Sequence, residues 1–256
     1  MKVEIYFHPS CATSHEVIVG LRRAGLLSSV RLISLERGAD AISLGVWSVP
    51  WIVIDGRPSI TDPTTSDEVI SVLRGGRPSV DDPVEAFMTA VLHSSFATAV
   101  TILHASVSGV ADVNFASAAV RAPLTGLDPY QVVNLVSGQG KRLFAEWRDR
   151  LRRAAAVSFV RELYWASNGE ITPEEVAGAA SPAAVGAWLI AKGSVGRVAL
   201  PASPKGSAKE DAEWISGFVR KAARGLLEKV KEEQEGVYGD QYYLEALREA
   251  GVNIPP

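Results

Sequence analysis

The chain begins with alternating apolar and polar residues, the pattern of a strand that is buried on one face. Val3, Ile5 and Phe7 share that face. The spacing of apolar residues then becomes helical over 16–24, and Gly25 ends the helical pattern. The first 25 residues therefore predict a strand followed by a helix.

Further apolar runs continue this alternation as far as residue 76. Asp55-Gly56 follows a β-branched run and is a hairpin signal, so two strands joined by a tight turn are expected there. The elements predicted after the first helix are a strand at 30–35, a short weak helix at 38–45, a strand ending at Ile54, a return strand at 57–60, and a helix that Asp62-Pro63 opens and that ends near Leu73. The series predicts an α/β domain over residues 1–76.

Beyond a Gly/Pro-rich linker at 75–79, the pattern is helical throughout. Asp82-Pro83-x-Glu85 combines an N-cap, a first-turn proline and a capping carboxylate, and it predicts a long helix from there to about residue 107. Similar start and stop signals predict about seven helices in all, with no strand and no repeat. We therefore expect an all-α domain over residues 80–256, and the fold class is α/β plus all-α.

Composition narrows the function classes. The net charge of −3 gives no electrostatic case for nucleic acid as the main partner. A single cysteine among 256 residues excludes a disulfide framework and a multi-cysteine zinc site, and it is typical of the reducing cytoplasm, where we expect the protein to reside. The N-terminus runs into a strand without a secretory apolar region.

The stretch 86–111 contains no charged residue and is long enough to cross a membrane. It also contains nine histidine, serine and threonine residues, which are poor residues for contact with lipid. The pattern therefore predicts a buried helix in a bundle and no membrane span.

The single cysteine lies where the first strand meets the first helix. The unpaired N–H groups and the dipole of a helix N-terminus favour a thiolate over a thiol. Cys11 is thus a candidate nucleophile, and His15, one helical turn later, and His8 are candidates to lower its pKa further. The alternatives are that Cys11 is a small residue at a turn and that both histidines are solvated surface residues.

The order of elements, the motif Cys11-Ala12-Thr13-Ser14 and the pair Val49-Pro50 before the third strand resemble the thioredoxin/glutaredoxin superfamily. The resemblance covers roughly residues 1–75 and implies a thioredoxin-like (glutaredoxin-like) fold. In that family the proline is usually cis and faces the cysteine. Ser14 stands where the family has a second cysteine, which implies the monothiol branch.

The resemblance implies thiol–disulfide redox chemistry, in which Cys11 forms a mixed disulfide with a glutathione-like small thiol or a partner protein. Cys11 would be the nucleophile and Ser14 would stabilise its thiolate. The implied substrate-binding residues are Thr13, Val49, Pro50, Trp51 and Asp62. Trp51 would either line a substrate groove or lie in the core. No metal or other cofactor is expected.

Two alternatives remain open. The layout of a thioredoxin-like domain followed by helices is also that of glutathione transferases, but Thr61–Ser66 lacks the Glu/Gln-Ser pair with which that family holds glutathione. The other alternative is a non-catalytic interaction scaffold. In the main hypothesis the helical domain chooses the partner, and homodimerisation is a further option.

Overall fold

The computed structural model describes residues 1–35, 45–194, 200–201 and 208–252. The weak helix predicted at 38–45 lies almost entirely outside the described residues. The N-terminal part contains one small mixed sheet, and the rest of the described chain is helical. The coarse prediction of an α/β part followed by an all-α part is therefore confirmed.

Four strands form the sheet in the order β2-β1-β3-β4. The central strand β1 pairs in parallel with β2 and antiparallel with β3, and β3 pairs antiparallel with β4. The strands are β1 Val3–Phe7, β2 Arg31–Ser34, β3 Trp51–Ile54 and β4 Arg57–Thr61.

The alternation predicted for β1 holds over Val3, Glu4 and Ile5, but Tyr6 is buried as well. Val3 and Ile5 are buried in an apolar cluster with residues of β3, β4 and the first two helices, and Phe7 is buried in a second cluster. Every residue of β3 is buried. A strand that is covered on both faces has apolar residues at every position, which is why apolar and polar residues do not alternate over Trp51–Ile54.

The hairpin signal at Asp55-Gly56 is also confirmed. Both residues have positive φ, 48° and 79°, as a two-residue turn of the I′ kind requires. Asp55 further ties the turn to the chain start, since its Oδ1 accepts a hydrogen bond from the Lys2 backbone N–H at 2.7 Å.

Twelve α-helices are present among the described residues. They are α1 Ala12–Arg23, α2 Ser66–Leu73, α3 Pro83–His93, α4 Ser95–His104, α5 Val113–Ala119, α6 Ala122–Thr125, α7 Pro129–Gly138, α8 Gly140–Ala166, α9 Pro173–Ala179, α10 Pro182–Gly193, α11 Ala208–Tyr238 and α12 Gln241–Glu249.

The long helix predicted from residue 83 to about 107 is wrong, because Ser94 interrupts it. Its hydroxyl accepts a hydrogen bond from the Ala97 backbone N–H at 3.1 Å and caps α4. A serine offers the backbone this local partner in place of a continued helix. Among the described residues no single helix is long and apolar enough to cross a membrane, and only the sharply bent pair α3 and α4 meets the length and composition together.

The predicted start of α2 is wrong as well. Asp62-Pro63 precedes the helix, and Thr65 is its N-cap, with Oγ1 accepting from the Glu68 N–H at 3.2 Å. Asp62 therefore belongs to the turn between β4 and α2. That displacement matters for the candidate site, because it leaves the carboxylate at the end of the sheet.

The chain divides into two compact units that are discontinuous in sequence. Unit 1 comprises Met1–Ala90, Asp112–Asn134 and Gln234–Pro256; unit 2 comprises Val91–Ala111 and Leu135–Glu233. The predicted domains, 1–76 and 80–256, are contiguous, and their boundaries stay a prediction. Unit 1 contains the sheet and the single cysteine.

Unit 1 depends on a close approach of α1 to α2 at Gly20. A Cβ on Gly20 would lie 2.3 Å from the Cβ of Ser66. We expect Gly20→Ala to destabilise the protein by about 1–3 kcal/mol, because the overpacking outweighs the better helix propensity of alanine. Urea unfolding followed by circular dichroism measures this change.

The matched control is Gly236→Ala, which lies in α11, also within unit 1, with open space where its Cβ would go. That change is expected to stabilise the protein by about 0.5–1 kcal/mol, because alanine loses less backbone entropy in a helix. Equal effects of the two substitutions would contradict the close-contact argument.

Candidate functional site

The candidate site is built around Cys11 at the start of α1. Cys11 is the N-cap residue of that helix, with extended backbone (φ −81°, ψ 121°). Its Sγ accepts a hydrogen bond from the Ser14 N–H at 3.4 Å and donates one to the Val49 carbonyl oxygen at 3.3 Å. The half-buried thiol thus faces both a helix N-terminus and the chain that enters β3.

The sheet register explains why Val49 reaches the cysteine. Tyr6 of β1 pairs with Trp51 of β3, so the residues before Trp51 lie beside the loop that follows β1. The Val49–Pro50 peptide bond is cis, as the resemblance implied. The structure therefore brings Cys11, Val49 and Pro50 together.

Ser14 and Thr13 lie in the first turn of α1. The Ser14 side chain is fully buried, and within the described part of the chain its hydroxyl has no hydrogen-bond partner. Thr13 is half-buried, and its backbone N–H lies close enough to favour the Cys11 thiolate. A buried hydroxyl without a partner next to a thiol is able to donate to the sulfur when it ionises.

Asp62 joins the site from the far end of β4. Thr61 pairs with Trp51, so the next residue, Asp62, adjoins Pro50 at the end of the sheet. Its side chain is buried, and its negative charge acts on the Cys11 sulfur.

These surroundings raise the pKa of the Cys11 thiol. Burial is the largest cause and the charge of Asp62 the second; the Ser14 side chain and the N–H groups of Ser14 and Thr13 act in the opposite direction without cancelling them. The helix N-terminus therefore acts in the expected direction, but desolvation and a neighbouring carboxylate outweigh it.

Trp51 lies in the core and not in an open groove. Its side chain is fully buried, and no partner for its indole N–H is found in the described chain. Of the two interpretations of this residue, the structure favours the core tryptophan.

Two side chains from the C-terminal segment contact the Cys11 loop. The Tyr243 hydroxyl donates to the Pro9 carbonyl oxygen at 2.9 Å, and Gln234 Nε2 donates to that of Ser10 at 3.2 Å. Burial and the nearby Cys11 and Tyr238 raise the pKa of the Tyr243 hydroxyl. No local pattern predicts these contacts, since each joins residues more than 200 positions apart.

His15 connects α1 to the same C-terminal segment. Its Nε2 lies 2.8 Å from Oδ2 of Asp240, and its ring meets that of Tyr243 edge-on at 4.7 Å. His8 lies within hydrogen-bonding distance of Ser10, with 2.6 Å between Nδ1 and Oγ. The half-buried His15 is thus engaged with the C-terminal segment, which differs from both roles expected of it.

Arg121, between α5 and α6, is a further residue that the sequence did not single out. Its guanidinium donates to both carboxylate oxygens of Glu68 and to the Pro63 carbonyl oxygen, next to Asp62. An arginine at the end of an apolar helix carries no local signal of this role.

No group of histidine, cysteine and acidic side chains able to hold a metal ion is present among the described residues. Comparisons with protein-family models, with curated proteins and with solved structures find no match for this chain.

The raised pKa makes a prediction about the reactivity of Cys11. Iodoacetamide alkylates the thiolate, so the pH midpoint of alkylation is expected to be higher in the native protein than in urea. Asp62→Asn is expected to lower the native midpoint, because it removes a negative charge beside the sulfur.

The control for that variant is Asp67→Asn, whose exposed carboxylate lies in the first turn of α2. It should leave the midpoint unchanged. A native midpoint below that of the denatured protein would contradict the electrostatic account of the site.

The pair His15–Asp240 makes a separate prediction about stability. Burial raises the pKa of Asp240, but the hydrogen bonds from His15 and from the Tyr243 and Tyr242 N–H groups outweigh it, so the pKa is lowered overall. The ionised Asp240 therefore stabilises the folded protein at pH values above the ordinary aspartate pKa. This stabilisation is lost as the pH falls through the lowered pKa.

Asp240→Asn is expected to cost about 1 kcal/mol at neutral pH, and the difference from the wild type should vanish in acid. Asparagine still caps α12, so the cap itself is preserved. Urea unfolding at a series of pH values measures the difference, with Asp128→Asn, a cap aspartate at the start of α7, as the control. A difference that persists in acid would show that charge is not the cause.

Proposed function

We propose that this is a monothiol thioredoxin-like protein whose Cys11 forms a mixed disulfide with a small thiol or a partner protein. The observation that carries the proposal is the 3.3 Å contact of Cys11 Sγ with the Val49 carbonyl oxygen at the N-terminus of α1. That contact places the sulfur beside the backbone of the segment that leads into β3, where we propose that a substrate chain pairs.

The strand order supports the proposed fold. A parallel β1–β2 pair, joined through α1, and an antiparallel β3–β4 hairpin followed by α2 form one four-stranded sheet within the first 76 residues. This is the arrangement expected of a thioredoxin-like domain. The cis Val49–Pro50 bond beside the cysteine fits the same proposal.

The proposed reaction is thiol–disulfide exchange with a small disulfide. The Cys11 sulfur, after losing its proton, attacks one sulfur of the disulfide; a new S–S bond forms, the old one breaks, and the departing thiolate takes up a proton. A second thiol then attacks the mixed disulfide and restores Cys11. The chain has a single cysteine, so both steps require an external thiol.

The raised pKa of the thiol changes the expected kinetics. Little thiolate is present at neutral pH, so attack is slow. A thiolate that is disfavoured is also a poor leaving group, so release of Cys11 from the mixed disulfide is slow as well. We therefore propose a long-lived adduct and not a rapid catalyst of exchange.

The hydrogen bond from Cys11 to the Val49 carbonyl also favours a second candidate function, a scaffold in which Cys11 does not react. A protonated thiol that donates to a backbone carbonyl is a stable structural arrangement. The two candidates differ in whether the native protein forms an adduct.

Incubation of the native protein with glutathione disulfide, followed by intact-mass spectrometry, distinguishes them. We expect one glutathionyl group per chain, formed faster as the pH rises, and no adduct in Cys11→Ser. Ser14→Ala should slow formation, because the Ser14 side chain lowers the thiol pKa. Adduct formation by the urea-unfolded protein alone would leave only the scaffold.

A further inference from the structure

Arg121 binds and stabilises the turn between β4 and α2, which contains Asp62. It follows α5 with left-handed backbone (φ 54°) and is mostly buried. Its Nε lies 2.9 Å from Oε1 of Glu68, and one terminal nitrogen lies 3.2 Å from Oε2 and 2.7 Å from the Pro63 carbonyl oxygen. The other terminal nitrogen donates to the Ala119 carbonyl oxygen at 2.6 Å.

The acceptors of this guanidinium are themselves fixed. Thr64 Oγ1 donates to Oε2 of Glu68 at 2.7 Å. Burial raises the pKa of Glu68, but hydrogen bonds and charge from Arg121 outweigh it and the pKa is lowered. The partly buried ion pair therefore holds the turn between β4 and α2 as a unit, and the fork of arginine suits this because it bonds two oxygens and a carbonyl at once.

The fastened turn lies at the same end of the sheet as the sulfur. Asp62 adjoins Pro50 through the pairing of Thr61 with Trp51, and Val49 contacts Cys11. The Asp62 side chain is buried there, and its peptide link to Pro63 ties it to the carbonyl that Arg121 holds.

We propose that Arg121 is a positioning residue for the Cys11 site, which keeps the Asp62 carboxylate near the sulfur by binding the Pro63 carbonyl and Glu68. The inference rests on the proposed function in taking Cys11 as the reacting group. It assigns to the segment after α5 the control of how readily that group ionises.

The sign of one measurement separates positioning from simple electrostatics. Arg121→Lys keeps the positive charge but loses the fork. If Arg121 acts by position, Asp62 gains freedom to move away and the alkylation midpoint of Cys11 falls. If it acts only through its charge, the midpoint stays where it is. Tyr243 of α12 also interacts electrostatically with the sulfur. Substitution of Arg121 leaves that tyrosine in place.

The experiment is the pH profile of iodoacetamide alkylation of the full chain, with circular dichroism to confirm folding. We expect Arg121→Lys to react several-fold faster than the wild type at neutral pH. Asp62→Asn should do the same, and the double variant should react no faster than Asp62→Asn alone, because the carboxylate that Arg121 positions is gone.

The matched control is Arg22→Lys. Arg22 is similarly buried and bridges Glu249 and the Tyr242 carbonyl of α12, so it tests loss of an arginine network elsewhere in unit 1. It should leave the midpoint unchanged. Thr64→Val loosens the same turn without altering a charge, and it should shift the midpoint in the same direction if Arg121→Lys does not fold.

An unchanged midpoint in folded Arg121→Lys, or in Thr64→Val, would overturn the proposal. So would additive effects of Arg121→Lys and Asp62→Asn. Alkylation reports the state of the thiol whether or not a disulfide partner exists. A shift in midpoint without a glutathione adduct would therefore support the positioning role while sinking the proposed exchange reaction.

Discussion

The antiparallel pairing of β1 with β3 at the centre of the sheet is the constraint from which the candidate site follows. Because Tyr6 pairs with Trp51, the loop after β1 and the chain before β3 meet at one end of the sheet. That end receives Cys11 from one side and Val49 from the other. The next pairing, of β3 with β4, adds Asp62 to the same end. A shift of register by one residue would move Val49 and Asp62 away from the sulfur and invert the buried faces.

The parts of this arrangement that local patterns encode could be predicted. Alternation identified β1, Asp55-Gly56 identified the hairpin, and the cap signals located most helices. The sequence pattern does not predict the break at Ser94, because an uncharged helical pattern outweighs a single capping hydroxyl. Asp62-Pro63 predicts a helix start because the same residue types serve caps and turns, whereas the structure has Thr65 as the N-cap.

The direction in which the pKa of Cys11 is shifted could not be predicted from local sequence. The helix N-terminus was visible in the sequence, and it acts in the expected direction through the Ser14 and Thr13 N–H groups. Burial and the Asp62 charge are tertiary effects, and they decide the sign. Local patterns do not predict the roles of Arg121, Asp240 and Tyr243 for the same reason. Each of these residues contacts the site region across more than 50 positions of sequence.

The first 76 residues do not complete unit 1 by themselves. Phe7, Ile18 and Val19 are buried by Tyr243, Leu247 and their neighbours at the C-terminus. At the β4 edge of the sheet, Ser117 of α5 donates a hydrogen bond to the Pro58 carbonyl oxygen. Two late segments thus pack on the early part of unit 1, and the same segments supply contacts around the cysteine loop and the turn of Asp62. The core of unit 1 and the surroundings of the cysteine are therefore completed by the same long-range contacts.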